Sequence, residues 1–166
     1  SPREKKHLNH YFMKNVFRVL TPLAVDPAHP FPHIANLSLN IGLTVEVDSH
    51  HGEPVTASLP RFVRIKVPPV VPRLVPVGDS GQKFVLLEEL IDANLHSLFP
   101  SMRLSKSYLF RVTRDADVEI RDDKAADLLG RIKESLRERR FGNAVRLEVS
   151  EAMPQIMVRY LTDSLR

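Results

Sequence analysis

The chain has 166 residues and a formal net charge of +4, with 43% hydrophobic and 27% charged residues. The length fits one domain, or one domain with an appendage, and the composition argues against intrinsic disorder. The sequence contains no cysteine, which excludes disulfides, thiol catalysis and Cys-ligated zinc. The basic excess lies in residues 3–18 and the rest of the chain is neutral, so we expect no nucleic-acid partner.

Residues 1–22 are predicted to form an amphipathic helix that leads into the domain. Leu8, Phe12 and Val16 recur at the spacing of one buried helical stripe, and Pro22 ends the pattern. Residues 23–166 are predicted to form a single mixed α/β domain. No apolar run approaches the ~20 residues that a membrane span needs, so no transmembrane segment is predicted. The chain lacks an initiator Met, and we expect it to be a piece of a longer protein.

The clearest pattern is a long strand in which apolar and polar residues alternate from Leu37 to Val47. This alternation predicts that Leu39, Ile41, Leu43 and Val45 are buried, with Asn40 and Thr44 on the opposite, wet face. A second strand is predicted from Arg61 to Val67. Its inward residues would be Val63, Ile65 and Val67, and its other face would carry Phe62, Arg64 and Lys66.

The later elements alternate strands and helices, with short turns between several adjacent strands. Residues 70–77 are rich in proline and predict an edge strand or a connector. The remaining predictions are a strand at Phe84 that enters a helix ending before Pro100, strands at Tyr108–Thr113 and Asp117–Ile120, a helix from Asp122 to Arg140, a strand at Val145–Val149, and a last helix starting at Pro154. The fold class is α/β (α+β), a mixed β-sheet flanked by helices. A doubly wound parallel sheet needs a regular β–α alternation that the first half lacks.

Motifs for catalysis are missing from the sequence. It has no glycine-rich phosphate loop, no dinucleotide fingerprint and no nucleophile elbow. Two histidine groupings, His29 with His33 and His50 with His51, could be considered as metal ligands. Prolines prevent the helix that the first pair would need, and the second pair fits a solvated turn better than a metal site. The sequence therefore predicts no catalytic, cofactor-binding or metal-ligating residue in this chain.

Basic side chains give the one remaining signal. Arg64 and Lys66 lie two residues apart and so share one face of a strand, where two cations could meet a polyanion. Arg111 and Arg114 lie three apart and point to opposite faces. For both pairs the alternative is structural: an exposed or helix-covered sheet face for the first, and pairing with Asp115 or Asp117 for the second.

Several stretches resemble the bacterial polyphosphate kinases of the large, multi-domain type. They include HPFP followed by NLSLN, RFVRIKVPPVVPRLVPV, FVLLEELIDANLHSLFP, FRVTRDADVEI and RRFGNAVRLEVSEAMP, in the family's order and over nearly the whole chain. His33 departs from the pattern, because the family has an aromatic residue there more often. The resemblance places this chain as the middle or "head" domain, with a mixed sheet similar to the phosphohistidine-phosphatase-like fold.

What the resemblance implies for function concerns the whole enzyme first. The family transfers the γ-phosphate of ATP reversibly to polyphosphate, through a phosphohistidine and with Mg²⁺, and the residues for that step belong to other domains. This chain alone is therefore expected to be inactive, without a cofactor of its own. Its expected role is a structural and dimerisation module in contact with other domains of a homo-oligomeric protein. The cytoplasm is the expected location, with peripheral membrane association open.

An alternative role is that of a polyanion-binding module along the route of the polyphosphate. The candidate polyphosphate contacts are Arg64, Lys66, Arg111 and Arg114.

Overall fold

The structure, a computed structural model, describes residues 1–25, 31–47, 60–78, 82–115 and 142–165. It divides the chain into two units, one formed by Ser1–Pro32 with Asn40–Tyr108, and the other by His33–Leu39 with Leu109–Arg166. The predicted strand at 117–120 and helix at 122–140 lie outside the described residues, as do His29, His50 and His51.

The first unit holds helices α1–α3 and strands β1–β6. Their bounds are α1 Pro2–Tyr11, β1 Pro22–Ala24, β2 Leu39–Val47, β3 Arg61–Lys66, β4 Leu74–Pro76, β5 Phe84–Leu86, α2 Leu87–Asp92, α3 Leu95–Leu98 and β6 Met102–Leu104. The second unit holds β7 Tyr108–Arg114, β8 Ala144–Val149 and α4 Gln155–Ser164. The first residue of β7 is counted in the first unit, and Leu39, the first residue of β2, is counted in the second.

The N-terminal segment is helical, but the α-helix ends at Tyr11, earlier than the predicted end near Pro22. After α1 the chain continues through a π-helical turn at Phe12–Val16 and a 3₁₀ turn at Phe17–Val19, and it becomes extended at Leu20, two residues before Pro22. Phe12 and Val16 are fully buried, as the apolar spacing predicts. The ring of Phe17 lies edge-on to that of Phe12, with centroids 6.1 Å apart. The buried residues thus lie in the π-helical turn, and α1 itself contributes none.

In the first unit β3 pairs antiparallel with β1 on one side and with β2 on the other, and β6 pairs antiparallel with the end of β2. Ile41 lies opposite Ile65, and Leu43 lies opposite Val63, so the predicted apolar face is the core of this sheet. The expectation of a wet opposite face is wrong. Asn40 is fully buried and Thr44 is half-buried, because this face is covered as well.

The strand also starts later than predicted. Leu37 has a φ of +58° and is exposed, and its backbone N–H donates to the carbonyl of Val112. It therefore belongs to a turn, and β2 begins at Leu39. Leu39 itself is half-buried rather than part of the core. The left-handed backbone explains the error, since apolar periodicity alone does not reveal a reversal of the chain.

The proline-rich segment contributes β4, which forms a two-stranded antiparallel hairpin with β5. The chain enters α2 directly from β5, and the backbone N–H of Leu87 donates to the carbonyl of Arg73 (2.7 Å). The predicted helix is interrupted at Ala93–Asn94, where the Asn94 side chain donates to the carbonyl of Leu90. The apolar spacing predicts a buried stripe of Leu87, Leu90, Ile91, Leu95 and Leu98; the first four are buried, and Leu98 is half-buried.

In the second unit β7 and β8 pair antiparallel, with an irregularity between Thr113 and Arg114. Phe110 and Val112 of β7 are buried, together with Met157 and Leu161 of α4. Pro154 immediately precedes α4, as predicted. The apolar residues of β8 are less covered, and Val145 is 62% exposed.

These elements make an α+β structure with helices and antiparallel sheet. Each of the five strand pairs described above is antiparallel, and the expected mixed sheet stays a prediction. The likeness to the phosphohistidine-phosphatase-like fold stays a prediction. Among the described residues, none of the helices has the length and apolar character needed to traverse a bilayer.

Candidate functional site

The side chain of Arg64 lies on the covered second face of the β2–β3 pair. Its residue is only 7% exposed, and its Nε donates to Oδ1 of the fully buried Asn40 at 2.8 Å. Burial lowers the pKa of the Arg64 guanidinium, which nevertheless remains charged at any physiological pH. The β-pleat brings the two residues together because Asn40 and Arg64 are on adjacent strands and point to the same face.

Residues on either side of Arg64 along β3 differ in character. Lys66, two residues on, shares its face and is exposed. Phe62, two residues back, is buried, and its ring stacks on that of Phe31 with centroids 5.9 Å apart and an interplanar angle of 22°. The predicted shared face of Arg64 and Lys66 therefore holds, but one of the two cations is covered and the other is open.

Arg111 and Arg114 take different partners. Across the β7–β8 pair, Arg111 donates to both oxygens of Glu148, at 2.6 and 3.1 Å. Arg146 also reaches Glu148, at 3.1 Å, and the hydrogen bonds from Arg111 are the main reason that the pKa of Glu148 is lowered. The sequence suggested Asp115 or Asp117 as partners and missed Glu148, because cross-strand pairing depends on a register that a single strand does not reveal.

Arg114 binds backbone instead of a carboxylate. Its Nε donates to the carbonyl of Ile34 at 2.7 Å, and its Nη1 donates to the carbonyl of Gly142 at 2.8 Å. Burial lowers its pKa, as for Arg64. The Arg114 backbone N–H also donates to the side chain of Asn36. These bonds tie three separate segments of the second unit together, which is a structural task.

Arg73 and Glu88 form an ion pair that sequence reasoning did not single out. Both guanidinium Nε and Nη2 donate to the Glu88 carboxylate, with the shortest distance 2.5 Å. Glu88 is buried, whereas the Arg73 side chain is largely exposed. Glu88 follows Leu87 at the start of α2, and a carboxylate in the first turn is favoured by the helix dipole. The sequence indicated this ion pair only through the position of Glu88, in the LEEL stretch at the start of the helix.

The β4–β5 hairpin presents an apolar outer face. Leu74 lies opposite Leu86, and Pro76 lies opposite Phe84, so all four share one side of the hairpin. Leu74 is 58% and Phe84 is 54% exposed, while Val75 on the other side is fully buried. We call Leu74, Pro76, Phe84 and Leu86 the hairpin face. The sequence hinted at such a surface only by assigning this stretch to an edge or a connector.

Within the part of the chain that the structure describes, no three His, Asp or Glu side chains gather as metal ligands would. His33 and His96 are both exposed. The described residues thus provide a covered arginine beside an open lysine, several internally bonded arginines and an apolar hairpin.

Comparisons with known proteins agree on the family. A family model described as the polyphosphate kinase middle domain matches residues 3–166. The polyphosphate kinase 1 of Chlorobaculum tepidum is 44% identical over 172 residues, which cover 98% of this chain and 24% of that protein. The polyphosphate kinase of Thermosynechococcus vestitus is 43% identical over 172 residues, covering 99% of this chain and 22% of that protein. This chain belongs to the polyphosphate kinase middle-domain family.

The fold has a counterpart in the crystal structure of the polyphosphate kinase from Porphyromonas gingivalis. The TM-score is 0.70 at 21% sequence identity, with 99% of this chain and 22% of that chain covered. The chain therefore spans about a quarter of the length of the relatives that it matches.

Proposed function

We propose that this chain is the structural and assembly domain of a longer polyphosphate kinase. The longer protein would transfer the γ-phosphate of ATP reversibly to polyphosphate, with Mg²⁺, through a phosphohistidine outside this chain. The names of the relatives support the reaction. The resemblance adds a cytoplasmic location and a homo-oligomeric state. The described residues offer no geometry for the phosphoryl step, so its chemistry is assigned to the remainder of the protein.

The hairpin face is the observation that carries the assembly role. Leu74 and Phe84 expose large apolar side chains on the same side of a short two-stranded hairpin, and Val75 on its other side is fully buried. A grouped apolar patch of this kind is typical of a surface that a protein partner covers. Arg73, Arg111 and Arg114 meanwhile bond to groups of the chain itself, which suits an architectural domain.

Oligomeric mass tests the assembly role. In the full-length protein, Leu74→Ser combined with Phe84→Ser should lower the mass measured by light scattering, because the substitutions remove apolar area from the contact. Ile156→Ser is the matched control, since Ile156 is exposed but lies on α4 rather than on the hairpin. If the double variant keeps the wild-type mass at every concentration, the hairpin face is not the contact.

A labelling experiment tests the assignment of the chemistry. With [γ-³²P]ATP and Mg²⁺, the full-length protein should form polyphosphate and an acid-labile phosphohistidine, whereas residues 1–166 alone should take up no stable label. Phosphoryl transfer depends on cations placed around the γ-phosphate, and the sequence of this chain has no phosphate loop. Stable label on any histidine of this chain would overturn the assignment.

Polyanion binding is the second candidate, favoured by the exposed Lys66 two residues from Arg64. Arg111 and Arg114 support it less well, because Glu148 and two backbone carbonyls already engage them. In the full-length protein, Arg64→Ala with Lys66→Ala should weaken polyphosphate binding at low salt and leave ATP affinity unchanged. Unchanged polyphosphate affinity together with a lower melting temperature would assign both residues to structure.

A further inference from the structure

Arg64 is a charged side chain with an unusual environment. It is more than nine-tenths buried, yet the hydrogen-bond partner that the structure gives it, Asn40, is a neutral amide. Burying a guanidinium is costly unless its donors are satisfied and its charge is balanced. Burial lowers the pKa of Arg64, and no carboxylate among the described residues contributes to this shift. The charge is thus held in place without a counter-ion among the described residues.

The two terminal nitrogens of Arg64 are not fully enclosed. Among the described residues, every buried side-chain nitrogen or oxygen has a hydrogen-bond partner. The bond to Asn40 uses Nε, so the terminal nitrogens are the part of the side chain that solvent still reaches. Asn40 therefore fixes the inner edge of the guanidinium and leaves the outer edge free to donate. Such an edge matches two oxygens of one oxyanion.

The position of Lys66 favours phosphate over a carboxylate as the oxyanion. It follows Arg64 on the same face of β3, with Cα atoms about 6–7 Å apart, and it is exposed. Residues 61–78 contain Arg61, Arg64, Lys66 and Arg73 but no acid. A single carboxylate would be satisfied by the guanidinium alone, whereas a second cation alongside favours a group with more negative charge or a chain of such groups. Phosphate meets this requirement.

We propose that Arg64, oriented by Asn40 and assisted by Lys66, binds a phosphate group at the surface of the β2–β3 pair. The terminal nitrogens of Arg64 donate to two phosphate oxygens, and the Lys66 ammonium attracts the neighbouring charge. Asn40 is a positioning residue, since it acts on the anion only through Arg64. The choice of a polyphosphate chain as ligand, rather than free orthophosphate, rests on the proposed function. The geometry of the site does not depend on it.

Site-resolved chemical protection tests this site in the full-length protein. Phenylglyoxal reacts with accessible guanidinium groups, and peptide mass spectrometry reports the extent of modification at Arg64. We expect Arg64 to react in the free protein and to be protected by inorganic tripolyphosphate at low salt. Arg159, exposed on α4, should react equally with and without the anion. Orthophosphate at the same phosphorus concentration separates the sources, since a chain-binding site should be protected by it much less.

Variants then separate binding from structure. Lys66→Gln should raise the tripolyphosphate concentration for half-protection about tenfold, as expected for one lost charge contact, and Lys66→Arg should restore it. Lys66 is exposed, so neither change should impair folding. Asn40→Asp, which places a carboxylate against Arg64, should abolish protection while the reaction of Arg159 stays the same. Lys83→Gln, on the exposed hairpin side, is the matched control.

Three results would overturn the proposal. Arg64 could be modified at the same rate with and without tripolyphosphate, or it could resist phenylglyoxal under all conditions, which would make it purely internal. Protection that is identical in the Lys66→Gln and wild-type proteins would also contradict it. Each of these results would leave the labelling and light-scattering experiments unaffected, so failure of this site is distinguishable from failure of the proposed function.

Discussion

The polar faces of the two strand pairs differ in their exposure. One pair is β2–β3 in the first unit, and the other is β7–β8 in the second unit. On β2–β3 the polar face is covered, and it holds the buried Asn40 and Arg64. On β7–β8 the polar face is open, and Arg111 there meets Glu148 at the surface. A buried polar pair needs a specific reason to persist, whereas an exposed ion pair is ordinary. This contrast is why Arg64, rather than Arg111, is the stronger candidate for binding.

The apolar faces of the two pairs also differ. Ile41 and Ile65 lie opposite each other and are both buried. On β8, Val145 and Val149 remain exposed although they alternate in the same way. Identical periodicity therefore gives a full core in one case and a partly covered face in the other. The pattern determines the face, and the neighbouring segments determine how much of it is covered.

The largest expected effect lies in the apolar face of β2. Ile41→Ala should lower the free energy of unfolding by about 2–5 kcal/mol, because it removes buried methyl groups and leaves a cavity. Thr44→Ala, three residues along and only half-buried, is the matched control and should cost much less. Urea denaturation of both variants measures the difference. Equal losses would show that the comparison between the two faces of this strand is wrong.

The glycine before β8 should give the next largest effect, in the second unit. A Cβ on Gly142 would lie 2.1 Å from the carbonyl oxygen of Asp115, which is backbone and cannot rotate away. We expect Gly142→Ala to destabilise the protein by about 1–3 kcal/mol, as overpacking does. Asn143→Ala is the control, since its exposed side chain can be shortened without disturbing the backbone bond from Asp115 to the Asn143 carbonyl. Thermal melting should separate the two variants.

The ion pair Arg73–Glu88 lies between the buried and exposed extremes. Arg73→Gln removes a bidentate partner from a buried carboxylate, so the free energy of unfolding should fall by about 1–3 kcal/mol. Lys83→Gln breaks the exposed contact with Glu4 and should change little. Urea denaturation of the Arg73→Gln and Lys83→Gln variants compares the contribution of a buried carboxylate with that of an exposed ion pair. Equal changes would mean that the burial of Glu88 does not matter.

How far the sequence predicts this structure varies from residue to residue. Hydrophobic periodicity correctly predicts the buried Ile41, Leu43 and Val45 of β2 and the buried Val63 and Ile65 of β3. It fails at Asn40, because a polar residue in an alternating strand is normally read as facing water. It also fails at Leu37, whose positive φ is a backbone property. The candidate site is predictable only in part. The β-pleat places Arg64 and Lys66 on one face of β3. The contact of Arg64 with Asn40, however, depends on the register between β2 and β3, which the sequence does not reveal.

The smallest expected effect is a pH dependence at the open polar face of β7–β8. Hydrogen bonds from Arg111 lower the pKa of Glu148 below its unfolded value of ~4.3. The folded state therefore binds the Glu148 proton less readily than the unfolded state does. The stability that Glu148 contributes is present above the unfolded pKa, and it is lost as pH falls through the lowered folded pKa.

Glu148→Gln should thus lower the melting temperature slightly at pH 7, with a difference from wild type that shrinks to nothing in acid. Salt should reduce the difference at pH 7 as well, because the pair is exposed. A difference that persists unchanged in acid would mean that Glu148 acts through packing rather than through its charge.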